Sequence, residues 1–182
     1  MNLLVILSGF TGAGKSFVAD IIKKQGDFVL LKSDVIRKEL AGIEPSKSVY
    51  EDFEKGLYSR EMTEKVYEEL FKRAEKYLRE GKNCIIDASF LDKEKRDKAR
   101  VLSKKLKVNI VILWVEAEEK LIKKRLERRK RDVSDGRWEI YLKQKEKYEK
   151  PLEKDVIFIK NDKKEEVERK INSIFKDLKI SI

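Results

Sequence analysis

Residues 9 to 16 read Gly-Phe-Thr-Gly-Ala-Gly-Lys-Ser, and this run constrains the chain more than any other. It fits the pattern G-x-x-x-x-G-K-[ST], in which the turning backbone aims successive N–H groups at a phosphate. The apolar run Leu3-Leu4-Val5-Ile6-Leu7 before it suits a buried strand, and Phe17-Val18-Ala19-Asp20-Ile21-Ile22 after it suits a helix. That strand–loop–helix setting distinguishes a phosphate cradle from a glycine turn that happens to carry a lysine.

The loop chemistry assigns each position a task. Gly9, Gly12 and Gly14 permit a turn that side chains would block. The free N–H groups opening the next helix add to the anion site. Lys15 is expected to reach the β- and γ-phosphates, and Ser16 to offer its hydroxyl to Mg²⁺. Gly9, Thr11, Gly12, Ala13, Gly14, Lys15 and Ser16 are thus the expected binding site for ATP with Mg²⁺. Such a loop reads phosphates and not the base, so GTP fits equally well.

Composition narrows the chemistry around that site. The chain has 182 residues, 41% of them hydrophobic, which suits one domain over residues 1–182. Met1 to Ile6 is too short for a leader and lacks a basic start. No apolar stretch approaches the roughly 20 residues that span a bilayer. The expectation is a soluble cytoplasmic protein with no membrane or obligate protein partner. There is no histidine, which excludes a His general base, a Ser–His–Asp triad and the common His–zinc sites. Acid–base work falls to Asp, Glu, Lys or Tyr. The single cysteine, Cys84, lies in the apolar run Asn83-Cys84-Ile85-Ile86 and is expected as a buried strand residue. Charged residues make up 43%, and Gln occurs only at 25 and 144, a thermophile-like composition. The net charge of +10 suits a polyanionic partner, although lysine enrichment alone could give the same excess.

Alternation of apolar runs with helical segments predicts an α/β fold with a parallel sheet. Strands are expected at 3–8, 28–32, 83–87, 108–115 and 155–160. Helices are expected at 15–25, 34–41, 58–80, 92–106, 117–131, 137–149 and 163–178. Asp92 and Asp162 are candidate N-caps, and Gly81 a C-terminal glycine. The stretch from Ala41 to Gly56 reads as a loop over the site.

Three further clusters carry chemistry. Asp34 follows the second expected strand, on the sheet edge where ligands of open α/β folds bind. Arg37 lies one helical turn on, on the same face. Together they could deprotonate a hydroxyl and hold an anionic group; alternatively, Asp34 merely caps a helix starting at Val35. Asp87 ends the run Cys84-Ile85-Ile86 and could hold Mg²⁺, position a substrate or serve as a cap. Lys120 to Arg131 contains eight basic residues and one acid, Glu127. Within it Arg125 and Arg129 share a face and are candidates for stabilising transferred phosphate charge, with Arg128 a lesser one. Ser134-Asp135-Gly136 would turn this lid, at approximately 125–137.

Gly9 to Ser16, Ser33-Asp34-x-x-Arg37-Lys38, Ile86-Asp87-Ala88-Ser89-Phe90, Arg125-x-x-x-Arg129 and Ser134-Asp135 together resemble one P-loop kinase family. It contains the polynucleotide 5′-hydroxyl kinases, the zeta toxins and related ATP-dependent kinases. The resemblance spans roughly residues 3 to 152. It implies a three-layer α/β/α, adenylate-kinase-like fold whose parallel five-stranded sheet is ordered 2-3-1-4-5. It implies Asp34 as general base, Arg37 on a substrate phosphate, Arg125 and Arg129 on the ATP phosphates, and Asp87 beside acceptor or metal. Lys15, Asp34 and Arg125 are the expected catalytic residues. Phe17 departs from the Thr that often follows the loop Ser in relatives.

The favoured acceptor at this stage is the 5′-OH end of DNA or RNA, because Arg37, the basic segment 120–131 and the net charge all suit it. A small-molecule kinase for a sugar, nucleotide sugar or antibiotic is the alternative, with Tyr50, Phe53, Tyr58 and Phe90 as candidate pocket aromatics. A toxin-like kinase is a variant of it. A non-catalytic ATP-bound regulatory module is the third reading.

Overall fold

A computed structural model describes residues 2–44, 56–129 and 138–180. Its strands are β1 (Leu3–Ser8), β2 (Phe28–Lys32), β3 (Asn83–Asp87), β4 (Asn109–Glu116) and β5 (Val156–Lys160). They pair in parallel in the order β2-β3-β1-β4-β5, as the family resemblance implies. The helices are α1 (Lys15–Lys23), α2 (Ser33–Leu40), α3 (Arg60–Arg79), α4 (Lys93–Leu106), α5 (Glu119–Arg129), α6 (Trp138–Lys147) and α7 (Lys164–Ile180).

The continuous apolar runs conceal an alternation that only the packed sheet reveals. Leu4 and Ile6 of β1 face α3 and α4, together with Cys84 and Ile86 of β3 and Ile112 and Trp114 of β4. Leu3, Val5 and Leu7 face α1 and α7, together with Ile85, Val111, Leu113 and Val115. Both faces are covered, so no polar residue is required at alternate positions. Burying each such side chain is worth about 1.5–3 kcal/mol, so β1 is a principal anchor of the sheet. Cys84 lies in this core, and burial pushes its thiol up to about 12, so it stays protonated and inert.

Local signals behave unevenly. Asp92 caps α4 by accepting the Lys95 backbone N–H at 2.9 Å. Gly81, at φ 83°, follows the end of α3. Asp162 does not cap α7: its carboxylate accepts the Glu118 N–H at 2.9 Å and pairs with Lys160 at 3.2 Å. The helix begins two residues later, at Lys164. Asp34 does not cap either; it sits in the first turn of α2, which begins at Ser33. Gly56–Tyr58 forms a 3-10 turn leading into α3. No helix among the described residues is long and apolar enough to cross a membrane.

Candidate active site

The phosphate loop lies at the carboxyl end of the central strand β1. Gly14 adopts φ 93° and ψ 32° as the N-cap of α1, with no side-chain cap. A helix leaves its first N–H groups without internal partners, so these donors are presented to the space in front of the loop. Phe10 anchors the loop by edge contacts with Trp114, Tyr141 and Tyr148, at centroid distances of 5.7, 5.5 and 4.9 Å. The Thr11 N–H is already taken, donating to Gln144 Oε1 at 2.8 Å from α6. Lys15 Nζ folds back on the carbonyls of Gly9 and Phe10, at 3.1 and 3.0 Å.

The rear of the loop is braced. Arg125 on α5 donates to the carbonyls of Ala13 (3.1 Å), Gly12 (3.4 Å) and Asn161 (2.7 Å). Asn161, 2% exposed just beyond β5, donates its amide to Ala13 O at 2.8 Å and Gly14 O at 3.5 Å. A Cβ on Gly12 would crowd Ile122 and Leu126, and one on Gly14 would overlap the Asn161 amide. These glycines are therefore required both by the turn and by how tightly α5 and Asn161 approach.

In front of the loop lies a cavity of about 470 Å³. Thr11, Gly12, Gly14, Lys15 and Ser16 line one end. Asp34 and Arg37 from α2 and Asp87 from β3 line it too, so the structure brings together side chains up to 76 positions apart in sequence. Asp34 is exposed to this space. Asp87 is buried, held against β1 by its register with Leu7 and against β2 by Lys32. Arg37 is 7% exposed; it donates to Leu57 O at 2.9 Å and Thr63 Oγ1 at 3.3 Å, and lies 5.0 Å over the Tyr58 ring. Its Nε is buried with no partner among the described residues. A buried unsatisfied guanidinium nitrogen is costly, and a bound anion is one way to satisfy it.

Arg125 is not among the residues lining that cavity; it stands behind the phosphate loop. Arg129 ends α5, and its side chain lies outside the described residues. So do Ser134-Asp135-Gly136, most of the expected lid, Tyr50 and Phe53. Arg128 is exposed. Of the candidate pocket aromatics, Tyr58 lines the cavity. Phe90 does not: it is fully buried, in edge contact with Tyr67 at 5.2 Å and Phe71 at 6.2 Å.

Several lining residues escape sequence reasoning. Tyr67, Lys95 and Gln144 line the cavity, as does Ser89 of the quoted motif. Gln144 alone carried a signal, as one of two glutamines in a chain that otherwise avoids them. Tyr67 and Lys95 look like ordinary positions on amphipathic helices. The Tyr67 oxygen accepts the Phe90 N–H at 2.8 Å and lies 3.3 Å from Ser89 Oγ. Burial raises its pKa, so the phenol stays protonated.

The arrangement fits a nucleoside triphosphate. Glycines leave no Cβ in the cradle, a helix N-terminus faces it, and Lys15 stands beside it. Among the described residues no three Asp, Glu or Cys side chains cluster to hold a metal. A Mg²⁺ ion at Ser16 would therefore draw most of its ligands from phosphate oxygens and water, as this hard ion does in phosphate sites.

The AAA_33 family model, described as an AAA domain, matches residues 4–151. No curated protein sequence matches the chain. Among solved structures, an unliganded sugar kinase from Janibacter sp. HTCC2649 is 19% identical, with TM-score 0.66 over 96% of this chain and 95% of that one. The APS kinase of Mycobacterium tuberculosis, in complex with AMPPNP and APS, is 16% identical, with TM-score 0.67 over 98% of each chain. A gluconokinase from Sinorhizobium meliloti 1021 is 17% identical, with TM-score 0.63 over 97% of this chain and 95% of that one. At these identities they share the P-loop kinase-like fold.

Proposed function

The chain belongs to the AAA_33 family, and from that premise we propose that residues 1–182 form one ATP-dependent kinase domain acting on a hydroxyl of a small acceptor. The observation that carries this reading is the shared cavity, where Lys15 and Ser16 meet Asp34, Arg37 and Asp87. When bound, ATP supplies the γ-phosphoryl group and Mg²⁺ neutralises charge on its oxygens. Asp34 accepts the acceptor hydroxyl proton as the oxygen bonds to the γ-phosphorus and the bond to the β-phosphate oxygen breaks. Lys15 and the α1 N-terminus stabilise charge on the phosphates. Arg125 holds the loop from behind and, with Arg129, supplies positive charge toward the nucleotide. Arg37 takes an anionic group of the acceptor, and Asp87 orients the region beside Ser16.

A compact acceptor is favoured by the cavity size and by the sugar, gluconate and APS kinases of like fold. The 5′-OH end of a polynucleotide is the second reading. It is favoured by the net charge of +10 and by the exposed Lys120, Lys123, Lys124 and Arg128 on α5. A cytoplasmic enzyme working at elevated temperature suits the charge-rich composition.

The test is transfer of labelled γ-phosphate from ATP with Mg²⁺ at elevated temperature. Sugars, sugar acids, nucleosides, aminoglycosides and 5′-OH oligonucleotides would be offered. Asp34→Asn should lower transfer by about 10²–10⁴-fold while ATP affinity stays within about twofold. Undiminished transfer by Asp34→Asn would refute the base assignment. ATP binding without transfer to any acceptor would favour the regulatory reading.

A further inference from the structure

Beyond the charges that the kinase chemistry uses, the cavity has a further polar wall made by Ser89, Asp92 and Lys95. The buried Tyr67 oxygen accepts the Phe90 N–H at 2.8 Å and lies 3.3 Å from Ser89 Oγ. Either hydroxyl can donate across this contact: with Tyr67 donating, the Ser89 proton is left for the cavity, and with Ser89 donating, its oxygen keeps a lone pair for it.

Lys95 is fixed firmly. Its side chain is 12% exposed, and its ammonium donates to Glu64 at 3.0 Å and Asp92 at 3.1 Å and lies 5.0 Å over the Tyr67 ring. Burial works against its charge, but the two carboxylates outweigh that and hold its pKa above the usual lysine value. Two of its three protons are used; the third is available. Asp92 spends one oxygen on the Lys95 N–H and the other on its ammonium, and each carboxylate oxygen retains a lone pair. The wall thus offers a donor from Lys95, an acceptor from Asp92 and a hydroxyl at Ser89 that can serve as either. The Lys95 charge is matched by Asp92 and Glu64, so this wall has no positive excess to hold a second phosphate. Among the described residues, the buried cation of this cavity with an unpartnered nitrogen is Arg37.

We infer that Ser89, Asp92 and Lys95 form a hydroxyl-reading subsite, so that the acceptor is a small polyhydroxylated compound carrying one anionic group, held at Arg37. The inference rests on the kinase reading above. Hydroxyls both donate and accept, which is what a wall of alternating donor and acceptor selects. An acceptor lacking them forgoes the hydrogen bonds that these half-buried groups can still make, which penalises it.

Asp92→Asn is the informative variant. Asn caps a helix about as well as Asp, so α4 keeps its first hydrogen bond while the wall loses its carboxylate. Transfer would be measured with sugar acids and sugar phosphates, their deoxy analogues, simple anionic alcohols and a 5′-OH oligonucleotide. The wild type should prefer the polyhydroxylated anions over their deoxy analogues by at least tenfold in kcat/KM. Asp92→Asn and Lys95→Met should each reduce that preference at least tenfold by raising the acceptor KM, with the ATP KM within twofold. Ser89→Ala should do the same, with a melting curve checking the Tyr67 contact. A wild type that prefers a simple alcohol or the oligonucleotide would overturn this inference and leave the kinase reading intact. So would variants whose preference ratio stays within twofold. Transfer to no acceptor at all would overturn the kinase reading, and this inference with it.

Discussion

Replacing Gly14 by alanine tests how tightly the phosphate loop is held from behind. At φ 93° an alanine is strained by about 1–2 kcal/mol. Its Cβ would also overlap the Asn161 amide, which donates to the buried Ala13 carbonyl at 2.8 Å. Driving that amide away costs a buried donor its acceptor and leaves the Ala13 carbonyl with Arg125 alone, at about 1–3 kcal/mol. Gly14→Ala should therefore cost about 2–5 kcal/mol, the sum of the two effects. Asn161→Ala alone should cost about 1–3 kcal/mol, because it removes the same hydrogen bond. In the double variant the amide is already gone, so the alanine adds only its backbone strain. The cycle should then show a coupling of about 1–3 kcal/mol, with the pair less damaging than the sum of the singles. Guanidinium chloride unfolding at 25 °C measures the stabilities, and calorimetry the ATP affinities, which fall tenfold for each 1.4 kcal/mol or so lost in the bound state. Additivity within about 0.5 kcal/mol would refute the reasoning, since it would mean that Gly14 and Asn161 do not share this contact.

Other consequences are equally open to measurement. Lys15→Met should weaken ATP binding at least tenfold; unchanged affinity would remove Lys15 from the phosphate site. Arg96→Met should destabilise by about 1.5–3 kcal/mol, because Arg96 is 1% exposed and its loss takes a donor from the Phe90 carbonyl and leaves Glu153 with the Leu152 N–H and Arg100. A shift in the unfolding midpoint equivalent to under about 1 kcal/mol would contradict this. For Glu153, burial works against its charge, but the Arg96 hydrogen bonds outweigh that and carry its pKa from 4.5 down to about 2. Its contribution is therefore complete above pH 4.5 and is lost as pH falls toward 2. It amounts to no more than about 3 kcal/mol, and solvent screening reduces it. Glu153→Gln should flatten the acid limb of stability measured between neutral pH and pH 2, and an unchanged limb would exclude this pair as its source. Tyr67→Phe should cost about 1–3 kcal/mol by leaving the Phe90 N–H without an acceptor, readable in the same unfolding experiment.

Particular residues show how far the sequence could be read. The phosphate loop was legible because its chemistry needs glycines, lysine and a hydroxyl at fixed offsets within one local turn. The strands were legible because β1, β3 and β4 are apolar without interruption, as only a doubly covered sheet permits. Asp34, Arg37 and Asp87 were legible as candidates because strand ends of a parallel sheet face one side. Asp162 misled, since a capping residue and a loop acceptor have the same local composition; the proximity of Glu118, 44 positions away, decided between them. Phe90 misled as well: the aromatic was recognised, but the packing of Tyr67 and Phe71 turned it inward.

The sequence by itself determined the α/β class, the phosphate cradle and the exclusion of histidine chemistry, because each depends on residue type and short spacing. Tertiary structure alone decided that Arg125 and Asn161 meet behind the cradle, that Gln144 takes the Thr11 amide, that Tyr67 reaches Ser89, and that Lys95 reaches Glu64. Those pairings join α3, α4, α5, α6 and the end of β5, segments whose approach is set by burial of their apolar faces against the sheet. A polar side chain at such a junction leaves no periodic trace, since its partner is supplied by packing and not by its neighbours in the chain.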